Sequence, residues 1–304
     1  MGEHIPVMAA EAVSWLDVRP GCVYLDCTTG LGGHSERIAS VLGAGGKLVC
    51  RDRDAESLAV ARERLREFSD RIVFDPGPFS SLPAALHRLR LDRVDGMIAD
   101  LGLSMHQLQS AERGFSFQLS GPLDMRMDRS VDTPTASDII NFSSERDIVK
   151  ILEDFGEERR ARRIARAILR ARPVSSTQRL ATIVRQAAPW DQPATLARVF
   201  QALRIAVNGE LDELASLLAG IPEFIAGGGR AVIISFHSLE DRLIKRRFQE
   251  LARSGQAEIL TPHVVTPSSE EILRNPAARS AKLRALRMTA GTTIRETGRP
   301  SEAV

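Results

Sequence analysis

Cysteine is scarce in this chain: Cys22, Cys27 and Cys50 are the only three in 304 residues. None stands at C-x-x-C spacing, so neither a disulfide framework nor a zinc site is expected. No bound metal and a reducing, cytoplasmic setting follow as expectations. Long hydrophobic runs are missing too. No stretch approaches the roughly 18–20 apolar residues that a helical membrane span needs. The first residues carry Glu3, Pro6 and Glu11 without a cationic start before an apolar run, so no secretion signal is expected. Disorder is excluded for the bulk of the chain, because 43% of it is hydrophobic against 26% charged. The length suggests two domains, or one large domain carrying an insertion.

Net charge is also small, at +2, but it is unevenly spread. Residues 157–204 hold eleven arginines and no lysine against Glu157, Glu158 and Asp191. A second basic stretch runs through Arg274, Arg279, Lys282, Arg284 and Arg287 without an acid. Such asymmetry points to a polyanionic partner, and arginine suits phosphate because its planar fork donates two parallel hydrogen bonds. Solvated helix faces are the alternative.

The first hundred residues alternate β-type runs with helical patterns, which predicts an α/β unit with a parallel sheet. Strands are expected at Val23–Asp26, at Lys47–Cys50 ending on Asp52, at Arg71–Phe74, and at Val94–Ala99 ending on Asp100. Helices are expected at Ser35–Val41, Ala55–Phe68 and Ser80–Leu89. Beyond Leu101 the pattern changes to punctuated loop (Gly114, Gly121, Pro122, Pro134) and then helices, with no β-rich run until about Val207. The clearest helix is Arg160–Arg172, where Ala161, Ile164, Ala165 and Ile168 share one face and Arg163, Arg166 and Arg170 the other. The α/β pattern resumes with a helix at Glu210–Leu218, a turn at Gly227-Gly228-Gly229, a strand at Ala231–Ser235 and a helix at Leu239–Leu251. Glu258–Leu260 and Leu286–Thr289 are expected to pair antiparallel, and the last dozen residues to form a loose tail. This divides the chain into a discontinuous α/β domain, 1–106 with 208–304, and an inserted helical domain, 107–207.

Asp26-Cys27-Thr28-Thr29-Gly30-Leu31-Gly32-Gly33-His34-Ser35 lies where the first strand turns into a helix. Glycines there let a ligand approach the backbone, and the helix N-terminus offers unpaired N–H groups. Asp52, nineteen residues after Gly33, ends the second strand, where an acid accepts hydrogen bonds from ribose hydroxyls. The dinucleotide pattern G-x-G-x-x-G fails, because Ser35 occupies its third place. An acid closing the first strand followed by a glycine-rich turn fits an S-adenosylmethionine pocket better. Asp100 ends the fourth strand, so Asp26, Asp52 and Asp100 are expected to converge on one crevice. A loop-capping role is the alternative for Asp100, and a cap or packing role for His34.

Two methyl-transfer chemistries are disfavoured. Methylation at a pyrimidine carbon needs a cysteine nucleophile, yet no cysteine follows the fourth strand and none precedes a proline. The Pro-Pro-aromatic signature of many amino-methyltransferases is absent, since Pro-Pro occurs nowhere. The residues alone therefore lead to an S-adenosylmethionine enzyme with an anionic substrate.

A set of ordered motifs goes further. These are His4-Ile5-Pro6-Val7, Gly32-Gly33-His34-Ser35, Gly77-Pro78-Phe79-Ser80, Asp100-Leu101-Gly102, Arg113-Gly114-Phe115-Ser116-Phe117 and Pro122-Leu123-Asp124-Met125-Arg126-Met127. Gly156-Glu157-Glu158-Arg159, Phe200-Gln201-Ala202-Leu203-Arg204, Ser235-Phe236-His237-Ser238-Leu239-Glu240-Asp241-Arg242, Asn275-Pro276 and Arg279-Ser280 complete it. Across nearly its whole length the chain resembles the bacterial RsmH (MraW) family of 16S rRNA cytosine-N4 methyltransferases.

The resemblance implies a class I S-adenosylmethionine-dependent methyltransferase (Rossmann-like) sheet with an inserted helical domain. It implies methyl transfer to the exocyclic N4 of a cytidine in the decoding region of 16S rRNA, within the small ribosomal subunit. Cofactor contacts are expected at Gly32, Gly33, His34, Asp52, Phe79, Asp100 and Gln107. A core position is the alternative for Phe79. The wording departs from the family's at Thr28-Thr29-Gly30-Leu31 and at Leu103-Ser104-Met105-His106, beside Gln107. Asp100 is the expected catalytic acceptor for the amine. Asp124 and His237 are second candidates for gripping the base, with a helix cap as the alternative for His237. Arg163, Arg166 and Arg170 are expected to clamp rRNA phosphates. A non-catalytic RNA-binding assembly factor is the rival reading, and a homodimeric state stays open.

Overall fold

The computed structural model describes residues 5–189 and 192–290. In chain order the elements are α1 (Ala9–Leu16), β1 (Val23–Asp26), α2 (Gly33–Leu42), β2 (Lys47–Asp52), α3 (Ala55–Arg64), β3 (Ile72–Pro76), α4 (Leu82–Arg88) and β4 (Val94–Asp100). Then follow α5 (Met105–Gln109), α6 (Ala136–Phe142), α7 (Glu145–Asp154), α8 (Ala161–Arg170), α9 (Thr177–Ala187), α10 (Gln192–Asn208) and α11 (Glu210–Phe224). The chain closes with β5 (Ile225–Ser235), α12 (Ser238–Arg253), β6 (Ala257–Ile259), α13 (Ser269–Arg274) and β7 (Lys282–Met288).

The strands form one seven-stranded sheet in the order β3-β2-β1-β4-β5-β7-β6. β1 to β5 run parallel, while β7 is antiparallel to both β5 and β6. Their near-continuous apolar runs reflect burial on both faces. Alternation along each strand assigns side chains to two layers. Tyr24, Leu48, Cys50 and Ile98 pack with α1 and α2, whereas Leu25, Val49, Met97 and Ala99 pack with α4, α11 and α12. A further core lies among α6 to α10, built from Ile140, Ile148, Leu152, Ile164, Ile168, Leu180, Val184, Val199 and Leu203. In α8 the buried and exposed positions follow the expected faces: Ala161, Ile164, Ala165 and Ile168 are buried and Arg163, Arg166 and Arg170 exposed.

Three expectations are corrected. Gly227-Gly228-Gly229 is not a turn before a strand but part of β5, which starts at Ile225. Its register slips there: Val94 faces Ile225, yet Gly96 already faces Arg230, so the glycines take up surplus chain as a bulge. The helix expected at Ala55–Phe68 ends at Arg64 and continues as a single 3-10 turn, Arg66–Phe68. The helix expected at Glu210–Leu218 runs on to Phe224 despite Pro222 inside it. The expected C-terminal tail falls largely outside the described residues.

Candidate active site

The sheet order reverses beside β1, whose neighbours β2 and β4 are reached by chains leaving in opposite directions. Crevices at such points, beyond the carboxyl ends of the strands, are where open α/β sheets bind ligands. A cavity of about 300 Å³ lies there. Of the residues expected to touch a cofactor, Gly33, His34, Asp52, Phe79, Asp100 and Gln107 line it.

The glycine turn explains its own composition. Gly32 caps α2 at φ 86°, a left-handed conformation that favours glycine. A Cβ on Gly33 would stand 3.0 Å from the Pro6 ring, so the glycine lets the N-terminal segment lie closely against α2. Asn275 Nδ2 donates to the Ile5 carbonyl at 3.0 Å and holds that segment over the cavity. Three motifs distant in sequence thus meet in one wall.

The acids divide their work. Asp26 does not line the cavity, which corrects the expected convergence of three carboxylates. It is buried, accepts from Ser35 Oγ at 2.6 Å and from the Thr28 N–H at 3.1 Å, and fixes the turn. Asp52 accepts from the Gly30 N–H at 2.8 Å and from the Asp54 N–H at 2.9 Å. Removal from water nevertheless pushes its pKa up to about 6. Each oxygen keeps acceptor capacity for a hydroxyl.

Asp100 is held at its backbone, where its N–H donates to Thr28 Oγ1 at 2.6 Å. Its Oδ2 lies 3.3 Å from His34 Nε2. A carboxylate only accepts, so Nε2 carries the proton. Burial alone would lower the His34 pKa, but the Asp100 carboxylate, helped by Asp26, outweighs it and raises it. Asp100 Oδ1 and His34 Nδ1 are buried without hydrogen-bond partners among the described residues. Two orphaned polar atoms on one cavity wall call for a polar ligand.

Gln107 has both ends of its amide engaged within the protein. Its Oε1 accepts from the Ser104 N–H at 3.0 Å, completing a capping box on α5, and its Nε2 donates to Asp54 Oδ2 at 2.6 Å. Met105, where the sequence departs from family wording, lines the cavity as the first residue of α5. Phe79 lines the cavity from a 3-10 turn and packs on the sheet core at its back.

The expected substrate residues lie outside the cavity lining. Burial alone would raise the Asp124 carboxyl, but Arg126, bound at 2.8 and 3.0 Å, and Arg129 hold it below the usual range. His237 caps α12: its Nδ1 accepts from the Glu240 N–H, and its Nε2 stands 3.2 Å from Glu240 Oε1. Arg166 pairs with Glu145 at 2.9 Å while remaining exposed.

Sequence reasoning missed several contributors. Arg113 is buried and bridges Asp54, Glu56 and the Met127 carbonyl, tying the loop after α5 to α3. Asn208 accepts from the Met127 N–H at 2.8 Å and donates to Met125 O at 2.7 Å and Arg204 O at 2.8 Å. Arg204 and Glu240 line the cavity, and Arg204 is paired twice with Glu210 at 2.9 Å. Glu157, between α7 and α8, binds Ser238 and Arg242 of α12, linking the arginine helix to the cavity's far wall. Motif membership was the available signal for Arg113, Glu157, Arg204 and Glu240, and Asn208 carried none; the pairings were not legible.

The sheet order, the reversed β7 and the acid-and-glycine crevice at the ends of β1, β2 and β4 define a class I methyltransferase that uses S-adenosylmethionine. The residues present fit that cofactor: Asp52 has acceptor capacity for hydroxyls, and Phe79 and the glycine turn line the same cavity. More narrowly, the chain belongs to the MraW methylase family, whose profile matches residues 1–289. It is 52% identical over 288 residues to ribosomal RNA small subunit methyltransferase H of Solibacter usitatus, covering 94% of this chain and 99% of that protein. Proteins of the same description from Koribacter versatilis and Acidobacterium capsulatum are 48% and 46% identical, each over 93% of this chain and over 93% and 97% of their own lengths.

Proposed function

We propose that this enzyme methylates the exocyclic N4 of a cytidine in the decoding region of 16S rRNA, in the cytoplasm and on the small ribosomal subunit. The observation that carries the chemistry is Asp100, half-buried at the end of β4 with one oxygen on His34 and the other unpartnered among the described residues. The cofactor supplies an electrophilic methyl group on a sulfonium. The N4 lone pair is delocalised into the ring, so an acceptor must draw the amine toward tetrahedral geometry as the N–C bond forms and the C–S bond breaks. Asp100 Oδ1 accepts that N–H, and the proton shed by the methylated nitrogen leaves toward it. His34 fixes the carboxylate, and positioning supplies most of the remaining rate. The target base must leave its stack to reach this depth.

Gly32, Gly33, His34, Asp52, Phe79, Asp100 and Gln107 are assigned to the cofactor. Gly32 acts through the shape of the turn and Gln107 by holding α5 against α3. Residues 107–207 are assigned to substrate recognition and the remainder to methyl transfer. Arg163, Arg166 and Arg170 stand exposed on α8 and are assigned to RNA phosphates. The arginine count overstates this surface, because Arg172 donates to backbone carbonyls and Arg198 and Arg204 bind carboxylates. Asp124, within its own ion pairs, is assigned to shaping the recognition loop rather than gripping the base.

The test uses small subunits from cells lacking this enzyme, incubated with the protein and labelled S-adenosylmethionine, then digested and mapped by mass spectrometry. Label on cytidine N4 in the decoding region is expected. Label on carbon 5, on another base or on protein would refute the assignment, and no label would favour the non-catalytic reading.

A further inference from the structure

We propose that Phe142 is a stacking platform for an unpaired RNA base, set among arginines that hold the neighbouring phosphates. The inference rests on the reading that the substrate is RNA. Phe142 is the last residue of α6 and is 83% exposed. The turn carrying it is anchored on both sides. Arg172 donates from Nε to the Ile140 carbonyl at 2.8 Å and from Nη2 to the Ser143 carbonyl at 2.6 Å. Asn141 Nδ2 donates to the Val174 carbonyl at 2.9 Å, and its Oδ1 accepts from the Val174 N–H at 2.8 Å. The ring is thus presented on a fixed support, which lowers the entropy lost when a ligand meets it.

The same contacts fix the chain just after α8, from Arg172 to Val174, against the turn that carries the ring. Arg166 reaches Glu145 across the gap between α8 and α7, and Arg146, Arg166 and Arg170 are all exposed. Three carboxylates share the region: Asp138, one turn before Phe142 on α6 and bonded to Thr135, Glu145, paired with Arg166, and Asp147, which accepts from Ser144 Oγ at 2.7 Å. Arg146, Arg166, Arg170 and Arg172 stand against them. Positive charge exceeds negative, which matches a phosphate backbone.

An exposed aromatic face beside such cations is how proteins hold single strands, because every base has a face to stack while the backbone follows the charge. A protein partner fits less well. Stable protein interfaces bury about 800 Å² per side, and the residues flanking the ring, Asn141, Ser143 and Ser144, are polar.

Phe142→Ala and Phe142→Trp would be compared with the parent enzyme by fluorescence anisotropy, using a short fluorescein-labelled single-stranded RNA over a range of salt. Loss of one stacked base predicts affinity about 5- to 150-fold weaker in Phe142→Ala. Its salt slope should be unchanged, because no charge is removed. Phe142→Trp should bind at least as tightly as the parent, and both variants should keep their cofactor affinity. Unchanged RNA affinity in Phe142→Ala overturns the proposal, as does a Trp variant as weak as the Ala one. Loss of self-association in Phe142→Ala by sedimentation velocity, with RNA affinity intact, would assign the ring to a second copy of the chain. A parent enzyme with no salt-dependent RNA affinity would instead overturn the RNA reading beneath it.

Discussion

Lowering the pH from 7 to 5 should weaken cofactor binding about tenfold through Asp52 alone. Its pKa stands near 6 because enclosure in the cavity costs the charge more than the Gly30 and Asp54 N–H groups return. With that value the carboxyl is about 90% ionised at pH 7 and about 10% at pH 5. If hydroxyl donors bind the ionised form alone, apparent affinity follows the ionised fraction, a loss of about 1.4 kcal/mol. The sign of the stability effect separates this from unfolding. A carboxyl whose folded pKa lies above its unfolded value takes up protons on folding between about pH 4 and 6. This group therefore stabilises the ligand-free fold as pH falls through that window. Calorimetric titration of S-adenosylmethionine at several pH values, with circular dichroism as a check on folding, measures the effect. Asp52→Asn should bind at least about tenfold more weakly than the parent at pH 7 and lose this group's pH dependence between pH 7 and 5. An affinity that stays constant for the parent enzyme over this range, with the fold intact, would refute the role given to Asp52.

Three other perturbations have defined outcomes. Asn208→Ala leaves the Met127 N–H and the Met125 carbonyl without their partner inside the protein; a stability loss of about 2–4 kcal/mol is expected, read from the midpoint of thermal or urea unfolding. His237→Ser replaces one helix cap by another, so stability within about 1 kcal/mol of the parent and near-normal methyl transfer are expected, whereas a collapse of turnover with stable folding would return His237 to the base. Glu157→Gln weakens the link between α8 and α12, so the KM for subunits should rise several-fold while kcat and cofactor affinity hold; steady-state kinetics on both substrates decide it.

Much of this site could be read from the chain because its chemistry is local. The run from Asp26 to Ser35 spells out a strand end, a turn that needs glycine and a helix start, and each of those demands is met within ten residues. The amphipathic α8 was legible for the same reason, since its period alone decides which side is buried. What stayed hidden depends on which side chains pair, whether near in the chain or far. Gly33 reads as a ligand-facing glycine, yet it also gives Pro6 room to pack closely on α2. Asp26 reads as a cofactor acid, but Ser35 occupies it. Asp124 and the arginines at 172, 198 and 204 read as free charge until their partners, up to 40 residues away, are known. The triple glycine of β5 misled because flexible residues suit a turn and a strand bulge equally well.

The central claim is that the free oxygen of Asp100 acts on the amine and does not merely hold the cofactor. Single-turnover methyl transfer to undermethylated small subunits, at cofactor concentrations shown by direct titration to saturate each protein, tests it for the parent, Asp100→Asn and Asp100→Ala. The account predicts rates about 10²- to 10⁴-fold lower in both variants once the cofactor is bound. Rates equal to the parent's at saturation would contradict it and leave Asp100 as a cofactor ligand alone.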